Sequence, residues 1–291
     1  MERLSFHDEI KKNKIYSSLL ILIVFGVLIA LGYAISFAFS PADFFLIMII
    51  AIVISLLYIW IGYYYSDKIA IASVNAKEAS IKEYKQFHDI VEGLCLASGL
   101  AKPKLYIMQN EQINAFASGR DPKNAVICVT TGCLNKLNKQ ELEGVLSHEL
   151  SHVANFDIRF MTLTAVLVGM IAIISQLFLR SLWFRSNDRE NKSGAIFLII
   201  GIVLAVLAPL ITQLVQLAIS RKREFAADAN AVKFTRSPTG LINALTKIKD
   251  NKDMKVSGAV SPLFLAKPTK MSNLFETHPD INKRIERLRK M

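Results

Sequence analysis

Ser147-His148-Glu149-Leu150-Ser151-His152 stands just ahead of an uncharged run that begins at Phe160. On an α-helix, residues four apart share a face, so His148 and His152 can aim their imidazoles at one metal ion. Glu149 is rotated aside, placed to touch water activated there rather than the ion itself. This H-E-x-x-H pattern is a zinc hydrolase signature, and its chemistry needs water. The bland reading is a pair of surface histidines on a charged helix. Whatever the outcome, the motif sits at the mouth of a segment that water avoids, and the fold has to reconcile the two.

A catalytic zinc usually takes three protein ligands and keeps one position open, so a third His or carboxylate is expected on a second element. Arg221-Lys222-Arg223-Glu224-Phe225-Ala226-Ala227-Asp228 offers Glu224 as that ligand. Asp228, four residues on, could hold a zinc-bound imidazole by its other nitrogen. Taken on spacing alone, Glu224 could instead pair with the neighbouring arginines.

The rest of the chain reads as a membrane protein. It has 291 residues, 52% hydrophobic, with a net charge of +11 and a mean hydropathy of +0.35, above what soluble domains of this length show. Four uncharged runs are long enough to cross a bilayer: Ile15–Phe39, Phe44–Ser66, Phe160–Leu179 and Gly194–Ser220. The first is too long for a signal-peptide core, and a second follows at once across Ser40–Asp43, so the pair reads as an uncleaved hairpin. Arg3, Lys11, Lys12 and Lys14 precede it and its turn carries no Lys or Arg. That places the N-terminus, the 67–159 region and the C-terminus in the cytoplasm. Arg180, Arg185, Arg189 and Lys192 in the other connection argue mildly the other way, so either the rule is weakly broken there or the second hairpin is partly embedded, and the third run is the least secure of the four. Basic flanks against anionic lipid explain the positive total, and no aromatic-basic cluster points to nucleic acid. Cys95, Cys128 and Cys133 form no C-x-x-C pair and read as reduced, small apolar residues.

In the polar regions, Val74–Ser98 shows helical spacing. Lys104–Met108 and Ile113–Ala117 read as short strands joined by a polar turn, and Ala125–Thr130 as a third. Gln140 to about Phe156 is helical, capped by Asn138, and could run on into the third apolar segment. Arg221–Phe234 continues as a helix, Lys247–Lys270 reads as a loop, and Asp280–Lys290 as a short basic helix. Topology supplies a check on the metal site. His152 precedes the third run and Glu224 follows the fourth, so two crossings return both ligands to one side.

With these residues in place, the chain resembles the HtpX family of membrane zinc endopeptidases, relatives of the CAAX prenyl proteases and OMA-type peptidases. The resemblance covers nearly the whole length, in order: anchor hairpin, Asn114-Ala115-Phe116-Ala117, the HELSH motif, second hairpin, REFAAD, Leu263-Phe264-Leu265 and Thr277-His278-Pro279. It implies that His148, His152 and Glu224 bind one Zn2+ per chain, that Glu149 is the general base, and that His278 and Arg284 stabilise the oxyanion. It also implies an edge strand at Asn114–Ala117 that pairs with extended substrate. Without the family, His278 and Arg284 would be read as ordinary surface residues. Phe156 departs from the family pattern, standing where many members carry Gly between Asn155 and Asp157, and the 247–262 connection is individual.

The expected fold is an α+β membrane protein, mainly helical. About four transmembrane helices form two hairpins, with a cytoplasmic zincin-like catalytic domain containing a small β-sheet. The segments are a stub (1–14), hairpin 1 (15–66), a first catalytic part (67–159), hairpin 2 (160–220) and a second catalytic part (221–291). The expected function is zinc-dependent endoproteolysis of misfolded or damaged membrane proteins, in stress-related quality control with membrane partners, in the cytoplasmic membrane of a bacterium. A CAAX-type processing protease and a catalytically silent scaffold are the alternatives. The former typically needs more membrane helices, and the latter predicts a damaged ligand set.

Overall fold

The computed structural model describes Lys11, residues 14–23, 25, 26, 29, 33, 44–164, 221–249, 264–265 and 280–291. The third apolar run beyond 164, the whole fourth run, the Ser40–Asp43 turn, most of the loop expected after Lys249 and Thr277-His278-Pro279 lie outside the described residues. Among those described, one helix is long and apolar enough to cross a bilayer: α2, Phe44–Tyr64. Its Phe45, Leu46, Ile49 and Ile54 are exposed, so this surface has to be met by lipid or by other chain. A shorter apolar helix, α1 (Lys14–Ile23), precedes it, and α3 (Ser66–Ser73) follows after a break at Tyr65.

The expected helix over Val74–Ser98 is shorter than its spacing suggested. Asn75 turns the chain in the left-handed region (φ 51). Strand β1 (Lys77–Glu78) then pairs antiparallel with β2 (Lys104–Met108), and only Lys85–Ser98 is helical, as α4. Sheet pairing takes the segment that apolar periodicity had assigned to helix, and Ile81, counted in that periodicity, is exposed.

β2 and β3 (Ala115–Gly119) do not form a hairpin. The sheet order is β1-β2-β4-β3, with β4 (Ala125–Thr130) inserted between them, parallel to β2 and antiparallel to β3. The reason lies in β4 itself: Ala-Val-Ile-Cys-Val-Thr is buried at every position, so it requires a neighbour on each edge and cover on both faces. Period-two alternation divides the sheet between two cores. Leu105, Ile107, Ile127 and Val129 join the larger one with Phe87, Val91 and Leu94 of α4. Met108, Phe116, Val126 and Cys128 face a smaller one with Ala70, Ile71, Met161 and Phe264.

Helix α5 (Thr131–Lys136) follows β4 directly. Helix α6 (Lys139–Ala154) runs through the larger core, and between Glu141 and Val153 only Glu143 is not buried. A capping box sets its start: Asn138 Oδ1 accepts from the Glu141 amide at 2.9 Å and Glu141 Oε2 from the Asn138 amide at 2.8 Å. Lys247 Nζ adds an ion pair to Glu141 at 2.7 Å. The helix does not run on towards the third apolar segment. It ends at Asn155, Phe156 adopts the left-handed region (φ 60), and a new helix, α7, occupies 157–164. Phe156 takes the conformation that Gly adopts more easily.

Three more helices complete the described fold: α8 (Arg221–Thr235), α9 (Thr239–Lys249) and α10 (Ile281–Leu288). The loop expected from Lys247 therefore begins later, because α9 extends to Lys249. It carries Leu241, Ala244, Leu245 and Ile248 into the core. Where α9 crosses α6, a Cβ on Gly144 would lie 2.5 Å from the Leu241 amide nitrogen, and one on Gly240 would overlap the Gln140 carbonyl oxygen. Gly144→Ala is expected to destabilise the protein by about 1–3 kcal/mol through overpacking. Gly93→Ala in α4, where nothing lies within 4 Å of the added Cβ, is expected to stabilise it by about 0.5–1 kcal/mol. Thermal unfolding of both variants in detergent measures the opposite signs.

Candidate metal and catalytic site

His148 and His152 lie one turn apart on the buried helix α6, and Glu224 reaches them from α8. His148 Nε2 and His152 Nε2 are 3.2 Å apart. Glu224 Oε2 lies 3.6 Å from the first and Oε1 3.6 Å from the second. All three side chains are buried. Ligands about 2.0–2.1 Å from a tetrahedral zinc are about 3.3 Å from one another, so the spacing fits such an ion.

The outer partners strengthen this fit. His148 Nδ1 lies 3.0 Å from Asp228 Oδ1, and His152 Nδ1 lies 3.0 Å from Asp157 Oδ2. Carboxylate oxygens accept, so each Nδ1 is assigned the proton and each neutral ring turns its Nε2 lone pair inward. Two lone pairs facing at 3.2 Å repel unless a cation lies between them. Burial and Arg284 oppose the charged form of His148, but the bonds to Asp228 and Glu224 outweigh them and push it up to about 9. Asp228 stands where the sequence led it to be expected, against the outer ring nitrogen of a motif histidine. Asp157 was missed, although its place just beyond the helix end, five residues after His152, offered a signal.

Arg284 on α10 is fully buried. Its Nε donates to Asp228 Oδ2 at 2.9 Å and its Nη2 to Oδ1 at 2.7 Å, while Nη1 stands 3.3 Å from Glu224 Oε2. This two-pronged contact is the strong form of an arginine–carboxylate pair. Burial would raise the Asp228 carboxyl, but Arg284 and His148 overrule it and bring it down to about 2. Arg287 stacks over the Phe225 ring at 4.2 Å, a second tie between α10 and α8.

Glu149 is buried among these groups, and its Oε1 has no hydrogen-bond partner among the described residues. Burial pushes its carboxyl above the usual carboxylate range, with His148 and His152 pulling the other way. A buried acceptor without a protein partner marks a place for a ligand or water. The structure thus brings together His148, Glu149, His152, Glu224, Asp228 and Arg284. His278 lies outside the described residues.

Asn114-Ala115-Phe116-Ala117 leads into β3, the edge strand, as expected. Asn114 Oδ1 accepts from the Ala115 amide at 3.0 Å. The edge is not vacant at Ala115, whose carbonyl accepts from the Leu265 amide at 2.9 Å. Phe116 bridges to Phe264, and their rings meet edge-on with centroids 4.9 Å apart.

Asp157→Asn keeps the shape but removes the carboxylate that orients His152. It is expected to weaken zinc binding about 10–100-fold, measured by competition with a chromogenic chelator.

Comparisons with known proteins agree with this geometry. The sequence pattern of Peptidase family M48 matches residues 81–291. A "Protease HtpX homolog" of Thermoanaerobacter pseudethanolicus is 41% identical, over 97% of this chain and 97% of that protein. One from Streptococcus uberis is 38% identical, over 98% and 99%. Among solved structures, S. mikatae Ste24p shares the fold with a TM-score of 0.51 at 22% identity, covering 95% of this chain and 65% of that one. The chain spans about two thirds of the length of that structure. On the strength of the family pattern and the full-length relatives, the chain belongs to peptidase family M48, alongside the HtpX homologues.

Proposed function

We propose that this peptidase is a zinc-dependent, integral-membrane endopeptidase that cleaves misfolded or damaged membrane proteins. Its site would face the cytoplasm, and quality-control partners of the membrane would deliver substrates. The observation that carries the reading is the trio His148, His152 and Glu224, with the unpartnered Glu149 Oε1 beside it. A silent scaffold would have no reason to keep these groups together and buried. The apolar, outward-facing α2 supports the membrane assignment.

His148, His152 and Glu224 would hold the ion, with Asp228 and Asp157 fixing the two rings. When bound, zinc supplies Lewis acidity towards the scissile carbonyl and the attacking water. Glu149 takes a proton from that water and passes it to the leaving amine. Its environment suits both steps, because a carboxyl raised by burial holds a proton more readily than an exposed one. Arg284 keeps Asp228 ionised and stands beside Glu224, and with His278 is proposed to donate to the oxyanion. An extended peptide would lie along Asn114–Ala117 and be recognised through its backbone, which tolerates many sequences. Pairing with the Ala115 carbonyl would require the Leu265 amide to give way, so the two contacts are mutually exclusive at that atom.

Glu149→Gln is nearly isosteric and cannot take up a proton. Assayed on an unfolded protein in detergent, it is expected to cut turnover about 10²–10⁴-fold while binding zinc like the wild type. Equal cleavage by both proteins would remove Glu149 from the mechanism.

A further inference from the structure

Where α2 meets the catalytic part, five cations lie over aromatic rings. Lys14 is 4.6 Å from the Phe156 centroid, Lys68 5.0 Å from Tyr65, Arg120 5.0 Å from Tyr64, Arg159 5.1 Å from Tyr63 and Arg223 4.9 Å from Phe160. Trp60, Tyr63, Tyr64 and Tyr65 also contact one another at the end of α2. Tryptophan, tyrosine and basic side chains at one level of an apolar helix are the composition of a membrane interface.

Arg159 stands apart within this belt. Arg120 has further partners, the Tyr64 carbonyl at 3.4 Å and Asp121 at 3.5 Å. Arg159, by contrast, has neither a hydrogen bond nor a carboxylate partner among the described residues, and its Nε is buried. A buried donor without an acceptor is costly, so the site is built for an acceptor that the described residues do not supply. Arg159 also lines an open cavity of ≈ 700 Å³ whose other walls include Ile21 of α1 and Leu56, Leu57, Trp60 and Tyr63 of α2. The walls are apolar, with one guanidinium at the level of the aromatic belt.

We propose that this cavity holds one anionic phospholipid, its phosphate on Arg159 and its acyl chains along Ile21, Leu56 and Leu57. The proposal rests on the reading of α2 as a membrane span. A phosphate supplies the missing acceptor in the geometry that guanidinium prefers, and basic pockets between membrane helices take such headgroups. Arg120, over the Tyr64 ring that also lines the cavity, adds positive charge there and favours a net negative headgroup over a zwitterionic one. An apolar peptide segment would fill the same walls and leave Arg159 unsatisfied. Arg159 lies two residues after Asp157, so the headgroup contact and the carboxylate that holds His152 share the first turn of α7.

Native mass spectrometry of the full chain in detergent tests this, with phosphatidylglycerol and phosphatidylcholine of identical acyl chains as probes. The expected result is one phosphatidylglycerol retained by wild type with a preference of about 10-fold over phosphatidylcholine. Arg159→Gln loses that preference, and Arg159→Lys keeps part of it. Inorganic phosphate at millimolar concentration does not displace the lipid. Equal retention of the two lipids by wild type overturns the proposal and does not depend on any variant folding. It is equally overturned if Arg159→Gln, shown to be folded by circular dichroism and zinc content, keeps the preference. Displacement by free phosphate, or by a 20-residue polyleucine peptide with no lipid preference, assigns the cavity to another occupant. If wild type retains neither lipid and stays dispersed without detergent, the membrane reading itself fails.

Discussion

The structure turns on an imbalance of buried charge. Glu149, Asp157, Glu224 and Asp228 bring four acidic side chains into one buried cluster, where Arg284 is the one arginine buried over its whole length among the described residues. Acidic side chains gathered this closely away from water favour a cation among them. The inward-facing Nε2 atoms of His148 and His152 mark where that cation belongs. Four helices from distant parts of the sequence, α6, α7, α8 and α10, each contribute a charged side chain there. A metal ion held there would couple its binding to the docking of these helices, and the free energy of the first would support the second.

The remaining architecture holds α6 still. Its start is fixed by the Asn138–Glu141 capping box, its middle by the close crossing with α9 at Gly144, and its end by the left-handed turn at Phe156. The sheet lies alongside with its edge strand β3, and Phe264 and Leu265 fasten to that strand from the other side. Ligand geometry at this precision needs rigid supports, and a helix buried on nearly every side is one.

Much of this was legible in the sequence because local spacing and ligand chemistry coincide. Two histidines four apart, a carboxylate beyond a pair of apolar runs and a second acid four residues on required no tertiary information. β4 was equally plain from its β-branched run. What failed depended on partners far away in sequence. Lys77–Glu78 became a strand because β2 offered an edge, against an apolar period that suggested helix. The order β1-β2-β4-β3 could not follow from reading β2 and β3 as neighbours. Helix α9 carries its period in Leu241, Leu245 and Ile248, yet it is short and its last turn falls in the polar stretch from Lys247 that reads as loop. Asp157 was visible as a residue but not as a ligand's partner, since its role depends on the turn that Phe156 makes. Arg284 became more than a surface charge only through family resemblance, and the structure adds that it joins α10 to Asp228 and Glu224.

The account stands or falls on one ion held by two imidazoles and a carboxylate. X-ray absorption at the zinc edge of the purified full chain addresses this most directly. It predicts one zinc per chain with nitrogen and oxygen scatterers at about 2.0–2.2 Å, including the outer-ring signature of two histidines. Replacing Glu224 by Ala should change the oxygen shell while both histidines remain. Sulfur scatterers at about 2.3 Å, or a spectrum without imidazole, would contradict the site described here.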